Sequence, residues 1–213
     1  MLRRLAALVS GLALFACSTV GVRDSPQPAY DVTARLGKVE IRHYGERIAA
    51  ETVLAGDELD ARSAGFRRLA GYIFGANRGG ARIAMTAPVA QEPSGPEATG
   101  TKIAMTAPVT QARDAGGWRI RFFMPAEYTL QTLPQPNDAQ VSLVVVPPQT
   151  VAVLRFSGTP SPQAVAARAG ELVAALEGTA WRPAGAPVAW FYDPPWTLPP
   201  LRRNEIAIPV SPN

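Results

Sequence analysis

Side chains able to carry out chemistry are few, because the 213 residues include one histidine, His43, and one cysteine, Cys17. Zinc sites take several Cys or His ligands, so we expect none. A Ser-His-Asp triad would have to use His43, and the chain has no G-x-S-x-G turn. Glycine motifs that bind phosphates or dinucleotides are also missing. The sequence therefore predicts a binding protein with no catalytic residues, and not an enzyme.

Cys17 ends a segment that is typical of a bacterial export signal. Arg3 and Arg4 give it a positive start, and an apolar run follows over residues 5–15. That run is shorter than the roughly 20 apolar residues that span a bilayer. Residues 14–17 (LFAC) resemble a lipobox, in which the leader is removed before a cysteine that then carries lipid. The alternatives are an ordinary secretory signal and an uncleaved anchor.

The leader sets the expected domain organisation and location. We expect a lipoprotein signal peptide over residues 1–16, the lipidated Cys17 with a flexible tether over residues 17–29, and one folded domain over residues 30–213. Ser18 favours the outer membrane, with the domain facing the periplasm. The formal charge of +4 includes two leader arginines, and the remaining charge is too small and too dispersed to predict nucleic-acid binding.

Apolar periodicity predicts the elements that must position His43. Residues 38–44 alternate as a strand, Gly45-Glu46 makes a turn, and residues 47–54 form a second strand, which together predict a hairpin. Asp57 is predicted to cap a helix that starts near Glu58 and ends before the glycines at 75–80. Its apolar face includes these residues: Leu59, Phe66, Leu69 and Ile73.

The second half of the chain repeats this order of elements. A helix is predicted to start at Ser161-Pro162 and to end at Gly178. Residues 193–200 are rich in proline and should be irregular. The predicted strands are residues 118–124, 141–146, 151–156, 186–192 and 205–210. The result is an α+β fold with a strongly curved antiparallel sheet packed by two helices.

A short motif occurs twice in the middle of the chain. Residues 82–89 (RIAMTAPV) return 20 positions later as residues 102–109 (KIAMTAPV), after a stretch rich in proline and glycine. A single duplication does not make a solenoid. We expect it to make or extend a hairpin.

These motifs together resemble the SOUL haem-binding family. The resemblance rests on Val39–Gly45 (VEIRHYG), the IAMTAPV motif, Phe123-Met124-Pro125 with Tyr128, Val151-Ala152-Val153 with Phe156-Ser157-Gly158, and Arg202–Glu205 (RRNE). It implies a distorted antiparallel β-barrel of about eight strands flanked by two helices, in two similar halves, of the SOUL and GyrI-like type. It also implies binding of haem or a related tetrapyrrole. The family pattern has IAMTAPV once, and the resemblance does not say which copy occupies the usual strand.

Haem needs a flat apolar slot, often an axial ligand, and cations or donors for its propionates. His43 shares strand parity with Val39 and Ile41, so we expect it on their face of the sheet. Its neutral imidazole could ligate iron, and the resemblance supports this because some SOUL proteins carry histidine at this motif position. Other members bind haem by apolar contact, and His43 could equally be an ordinary half-exposed residue.

The predicted haem site combines His43 with Arg42, Phe66, Ile73 and Met105, around an apolar cleft beside the imidazole. Other residues have two interpretations each. Met85, Met105 and Met124 are second-ligand candidates or core residues. The arginines that could pair with propionates are Arg42, Arg47, Arg82 and Arg202. The side chains that would wall a pocket or fill the core are Phe66, Ile73, Phe74, Phe122, Trp190 and Phe191.

The predicted function is a membrane-tethered haem or porphyrin binder of the bacterial envelope. The alternative is a binding module for another hydrophobic ligand or for an envelope protein partner, without haem.

Overall fold

The computed structural model describes residues 25–94 and 117–213. The predicted signal peptide, Cys17 and most of the tether lie outside the described residues, and so does the second IAMTAPV copy with Met105.

Two helices begin at the caps that the sequence predicts. Helix α1 spans Glu58–Ile73, and the Asp57 side chain accepts a hydrogen bond from the backbone N–H of Leu59. Helix α2 spans Pro162–Leu176, and Ser161 caps it by accepting from the backbone N–H of Ala164. No helix in the described ranges has the length and apolar character needed to cross a membrane.

The strands of the described residues form one curled antiparallel sheet. They are β1 Tyr30–Leu36, β2 Val39–Tyr44, β3 Arg47–Leu54, β4 Val89–Pro93, β5 Trp118–Phe123, β6 Ser142–Val146, β7 Gln149–Phe156, β8 Trp181–Pro183, β9 Val188–Phe191 and β10 Asn204–Pro212. Nine of these described strands follow the order β1-β2-β7-β10-β9-β4-β5-β3-β6, and β8 pairs with the end of β10. The predicted α+β architecture, a strongly curved antiparallel sheet with two helices, is confirmed, and the nine strands of this order form a half-barrel.

The predicted hairpin of β2 with β3 is wrong. β2 pairs with β1 and β7, whereas β3 pairs with β5 and β6. β6 and β7, joined by Pro147-Pro148, likewise pair with different partners. The physical reason is that the two strands serve different cores: Ile41 packs in the cluster with α2, whereas Ala50 packs in the cluster with α1. The order β6-β3-β5-β4 therefore matches β2-β7-β10-β9, which gives the two similar halves.

The first IAMTAPV copy leads into a central strand. The chain is irregular until Val89, where β4 begins between β5 and β9. The Thr86 hydroxyl donates to the Phe123 carbonyl, and the Ala87 N–H donates to the Pro26 carbonyl at 2.9 Å. The motif thus joins the start of the described chain to β5.

Both helices pack on one face of the sheet, and we call the other face the helix-free face. Because side chains alternate along a strand, neighbouring residues belong to different cores. The helix-free face carries its own buried cluster, drawn from both halves of the sheet. Its buried members are Tyr44, Ala49, Ala87, Ala90, Phe123, Val146, Val151, Val153, Trp190, Tyr192 and Ala207.

Gly65 allows α1 to approach the sheet closely, which gives a stability prediction. A Cβ atom at Gly65 would lie 2.5 Å from Ile120 Cγ1 and 3.0 Å from Leu54 Cδ1. We expect Gly65→Ala to lower the free energy of unfolding by about 1–3 kcal/mol because the core is overpacked. Gly170→Ala in α2 is the matched control, since nothing lies within 4 Å of its Cβ, and it should raise stability by about 0.5–1 kcal/mol. Urea unfolding measures both, and equal effects would contradict the close contact.

Candidate functional site

A buried ion-pair network joins β2 to β10. Glu205 is fully buried, and its carboxylate accepts hydrogen bonds from Arg42 at 2.8 and 3.2 Å and from Arg203 at 2.7 and 2.9 Å. The Tyr192 hydroxyl donates to the same carboxylate at 2.7 Å. Arg42 also donates to Glu40 at 2.8 Å. Strand β7 lies between β2 and β10, so the network spans three neighbouring strands.

Electrostatics in this network keep Glu205 ionised. Burial alone would raise the pKa of the Glu205 carboxyl, but Arg42, Arg203 and the Tyr192 hydrogen bond hold it below its usual value. Burial raises the pKa of Tyr192, and the negative charge of Glu205 raises it further. Tyr192 therefore remains a hydrogen-bond donor, and the buried charges of Glu205 and Arg42 compensate each other.

An open cleft of about 340 Å³ lies over this network, and we call it the basic cleft. Its lining residues are Tyr30, Arg35, Gly37, Lys38, Glu40, Arg42, Val153, Arg155, Arg203 and Glu205. Five cations and two carboxylates give the lining a formal charge of +3. Lys38 and Arg155 are exposed, and no ion-pair partner is found for either within residues 25–94 and 117–213. The cleft is therefore suited to an anionic ligand.

Aromatic rings form the floor that continues from the basic cleft. The Arg42 guanidinium carbon lies 4.5 Å from the centroid of the Tyr30 ring. Tyr30 contacts Tyr44 with ring centroids 5.2 Å apart, and Tyr44 meets Trp190 edge to face at 5.6 Å. Tyr30 is partly exposed, whereas Tyr44 and Trp190 are each 3% exposed, so the ring surface that a planar ligand with acidic groups could contact beside these cations is that of Tyr30.

Arg47 is a second buried arginine, and its contacts differ from those of Arg42. It is 9% exposed at the start of β3, and its Nε, Nη1 and Nη2 atoms have no hydrogen-bond partner within the described part of the chain. Its guanidinium carbon lies 4.5 Å from the Tyr44 ring centroid and 4.8 Å from that of Phe123. Burial lowers the pKa of Arg47 to about 10, so the group is still a cation at neutral pH.

A second cavity of about 230 Å³ lies on the other half of the helix-free face. Glu51, Arg121, Val146 and Gln149 are among its lining residues. Arg121 donates to Glu51 at 2.6 Å and to Glu92 at 2.8 Å. The charges that line this cavity, Arg121 and Glu51, pair with each other, whereas the basic cleft has an excess of cations.

His43 and Arg42 point to opposite faces of β2. His43 lies on the face of Val39 and Ile41, as predicted, but it is exposed at the strand end, with Nδ1 3.2 Å from Thr150 Oγ1. It lines neither cavity. Since adjacent residues of a strand alternate, the two candidates cannot converge on one ligand-binding surface. The apolar cleft predicted beside His43 stays a prediction, because the two cavities described above have charged side chains in their linings and His43 lines neither.

The remaining predicted residues lie elsewhere in the fold. Ile73 is buried in the core under α1, where Met124 also packs. Phe66 is 39% exposed on α1 and meets Phe122 edge to face at 5.3 Å. Arg202 donates to the Thr197 carbonyl at 2.7 Å. The structure therefore does not bring Phe66 or Ile73 to the basic cleft.

Several other residues of the predicted site lie in the core or on the surface. Phe122 is buried with Ile73, Met85 packs partly buried against that core, and Trp190 is buried on the helix-free face. Phe74 is 59% exposed just after α1. Arg82 is exposed in the first IAMTAPV copy.

Sequence reasoning missed most of the cleft, namely Tyr30, Lys38, Arg155, Arg203 and Glu205. A signal for part of it was present, since VEIRHYG and RRNE each place charged residues in or beside an apolar strand. A charge is seldom buried without a partner. The pair of Arg42 with Glu205 joins these two motifs across 163 positions.

No cluster of three or more His, Cys, Asp or Glu side chains suited to a metal ion is found in the described ranges.

Comparisons with solved structures support the fold. The chain is similar to the EcmrR C-terminal domain, with a TM-score of 0.57 and 13% identity, over 86% of this chain and 99% of that one. It is also similar to an uncharacterized conserved protein from Listeria innocua, with a TM-score of 0.54 and 16% identity, over 82% and 92% of the two chains. A hydrolase from Listeria innocua gives a TM-score of 0.52 at 15% identity, over 84% and 94%. At these identities the likeness concerns the fold alone.

The search of curated proteins found no match to this chain. The model of one protein family, described as SOUL heme-binding protein, matches residues 25–209. That range includes both charged motifs, both helices and all but the end of the last strand. The chain therefore belongs to the SOUL haem-binding protein family.

Proposed function

We propose that this protein is a lipid-anchored binder of haem or a related tetrapyrrole in the bacterial envelope, with the basic cleft as the ligand site, and that it is not an enzyme. The family match over residues 25–209 carries the proposal. The anchor and the location are inferred from the lipobox-like residues before Cys17, and with two or more acyl chains the attachment would be stable.

The residues of the cleft fit a planar ligand with two carboxylates. Lys38 and Arg155 are exposed cations without ion-pair partners in the described residues, so they can receive one of the two propionates of haem. Tyr30 lines the cleft and is partly exposed, so its ring offers a flat surface on which a macrocycle could pack, and the buried Tyr44 ring contacts it. When bound, haem would supply the redox and ligand chemistry of its iron. The contribution of this chain is to hold the acidic groups and to cover one side of the ring.

The role of His43 as an iron ligand stays a prediction. The imidazole is exposed and lies on the sheet face opposite to the side chain of Arg42. Binding in the basic cleft would rest on charge and on apolar contact, at about 25 cal/mol for each Å² of apolar area removed from water.

The test is a titration of haemin into the full chain in detergent micelles, followed by Soret absorbance and by quenching of tryptophan fluorescence against protein-free micelles. We expect saturable binding with a dissociation constant in the micromolar range, which corresponds to a binding free energy of about −8 kcal/mol. Absence of saturable binding by a folded protein would contradict haem as the ligand. The function would then be binding of another hydrophobic ligand or of an envelope partner.

The His43→Ala variant distinguishes haem binding in the basic cleft from ligation of the iron by His43. Because His43 lines neither cavity, we expect this variant to keep the affinity and the Soret maximum of the unaltered protein. A shifted Soret band or an affinity about tenfold weaker would instead show that the imidazole ligates iron. Thr150→Val is the matched control, because it removes the hydroxyl 3.2 Å from the imidazole and leaves the ring in place.

A further inference from the structure

Within the part of the chain that the structure describes, Arg47 has no hydrogen-bond partner that explains its burial. Its three guanidinium nitrogens are buried and lack hydrogen bonds in the described part of the chain. Buried polar groups in proteins are almost always hydrogen-bonded, and a buried charge without a counter-ion is strongly unfavourable. The rings of Tyr44 and Phe123 offset part of this cost through cation–π contacts, but rings do not accept the guanidinium N–H bonds as an oxygen would.

Among residues 25–94 and 117–213, no carboxylate is found to neutralise Arg47. The groups that act on its pKa, apart from burial, are Tyr44 and a second cation, Arg121. Nearby Glu51 already accepts from Arg121 at 2.6 Å and pairs with Arg119 at 3.3 Å. The guanidinium is therefore set up to receive a negative charge from outside the chain.

The position of Arg47 connects it to both cavities. Val146, its cross-strand partner, lines the second cavity together with Arg121. On the other side, Arg47 contacts Tyr44, and Tyr44 contacts Tyr30 at the wall of the basic cleft. Arg47 itself lines neither cavity, so a ligand on the helix-free face would have to displace the buried ring of Tyr44 or Phe123 to reach it.

We propose that Arg47 is a binding residue for a carboxylate of a planar aromatic ligand on the helix-free face. The fork of N–H donors matches a carboxylate in two parallel hydrogen bonds, and the flanking rings match a flat scaffold. For a tetrapyrrole, the carboxylate would be a propionate; this form of the inference rests on the proposed function.

Arg47→Met tests this assignment in the full chain in detergent micelles. The probes are protoporphyrin IX and its dimethyl ester, titrated by fluorescence against protein-free micelles. We expect Arg47→Met to weaken binding of the free acid about tenfold or more and to leave binding of the ester unchanged. Arg67→Met, at an exposed arginine of α1 on the other face of the sheet, should change neither affinity.

Thermal unfolding without ligand gives a second readout. Replacement of an unpaired buried cation by an apolar side chain of similar length should leave the melting temperature unchanged or raise it by about 2–4 °C. A lower melting temperature with unchanged affinity for the free acid would overturn the proposal, because Arg47 would then act only through its ring contacts.

The outcomes distinguish this inference from the proposed function. Tight binding of the free acid by both the unaltered protein and Arg47→Met would overturn the role of Arg47 and leave the proposed function standing. If the unaltered protein binds neither porphyrin, the proposed function is wrong. The role of Arg47 is then tested by the change in melting temperature that 1-naphthoate causes. If 1-naphthoate stabilises the unaltered protein but not Arg47→Met, Arg47 belongs to a site for other aromatic carboxylates. If 1-naphthoate does not stabilise the unaltered protein, the inference about Arg47 is overturned.

Discussion

Replacement of Glu205 by alanine is expected to lower the free energy of unfolding by about 3–5 kcal/mol, or about 6–20 °C in melting temperature. The carboxylate receives hydrogen bonds from Arg42, Arg203 and Tyr192. Arg42 is 4% exposed, so removal of Glu205 leaves a cation in the interior whose remaining counter-ion among the described residues is Glu40. Urea unfolding followed by circular dichroism measures the loss.

The double variant Arg42→Met with Glu205→Leu is the control. It removes both charges together and fills the space with apolar atoms, so it should recover much of the stability lost in Glu205→Ala. A double variant that is as unstable as Glu205→Ala would show that the network stabilises the fold through more than charge compensation, for example through Arg203 and Tyr192.

The same carboxylate should make stability depend on pH. Because the pKa of Glu205 is lower in the folded protein than in the unfolded chain, its contribution is present above about pH 4 and is lost as the pH falls through the folded value. Glu58 contributes with the opposite sign, since burial raises its pKa. The informative comparison is therefore between the unaltered protein and Glu205→Gln. The difference in stability between pH 7 and pH 3 should be smaller in the variant.

Reversal of two charges in the basic cleft should weaken haemin binding by about tenfold to a hundredfold, or 1.4–2.7 kcal/mol. Lys38 and Arg155 are exposed and unpaired in the described residues, so Lys38→Glu with Arg155→Glu should leave the fold intact. The formal charge of the lining would change from +3 to −1. Each exposed charge contributes about 0.2–1 kcal/mol, and a reversal replaces an attraction by a repulsion, so two reversals change the binding free energy by about 0.8–4 kcal/mol, which contains the stated range.

Arg67→Glu is the matched control for this effect. It reverses an exposed arginine on α1, away from the helix-free face, and its affinity for haemin should equal that of the unaltered protein. The affinity of the unaltered protein should also weaken with added salt, since exposed charges are screened beyond about 10 Å at 0.1 M. Equal loss of affinity in the control and in the cleft variant would show that haemin binds elsewhere on the protein or binds non-specifically.

The candidate site was predictable only in part. Arg42 was identified by its motif, and Arg47 was among the arginines considered for propionates. Lys38 precedes the strand of Arg42 and Glu205 belongs to RRNE, yet nothing in the local pattern indicates that they share one cleft. Their meeting depends on β7, which lies between β2 and β10, and the pairing of strands far apart in sequence leaves no local signal.

The amino-acid sequence by itself determined the helices with their caps, most strands and the family. These follow from local chemistry: Asp57 and Ser161 satisfy free N–H groups at helix starts, and apolar alternation defines a buried strand face. The tertiary structure alone decided that β2 pairs away from β3, that Arg42 faces the cleft while His43 faces the other way, and that Arg47 is buried without a partner. Strand parity separates neighbours onto two faces, but only the packed helices determine which face is left open to a ligand.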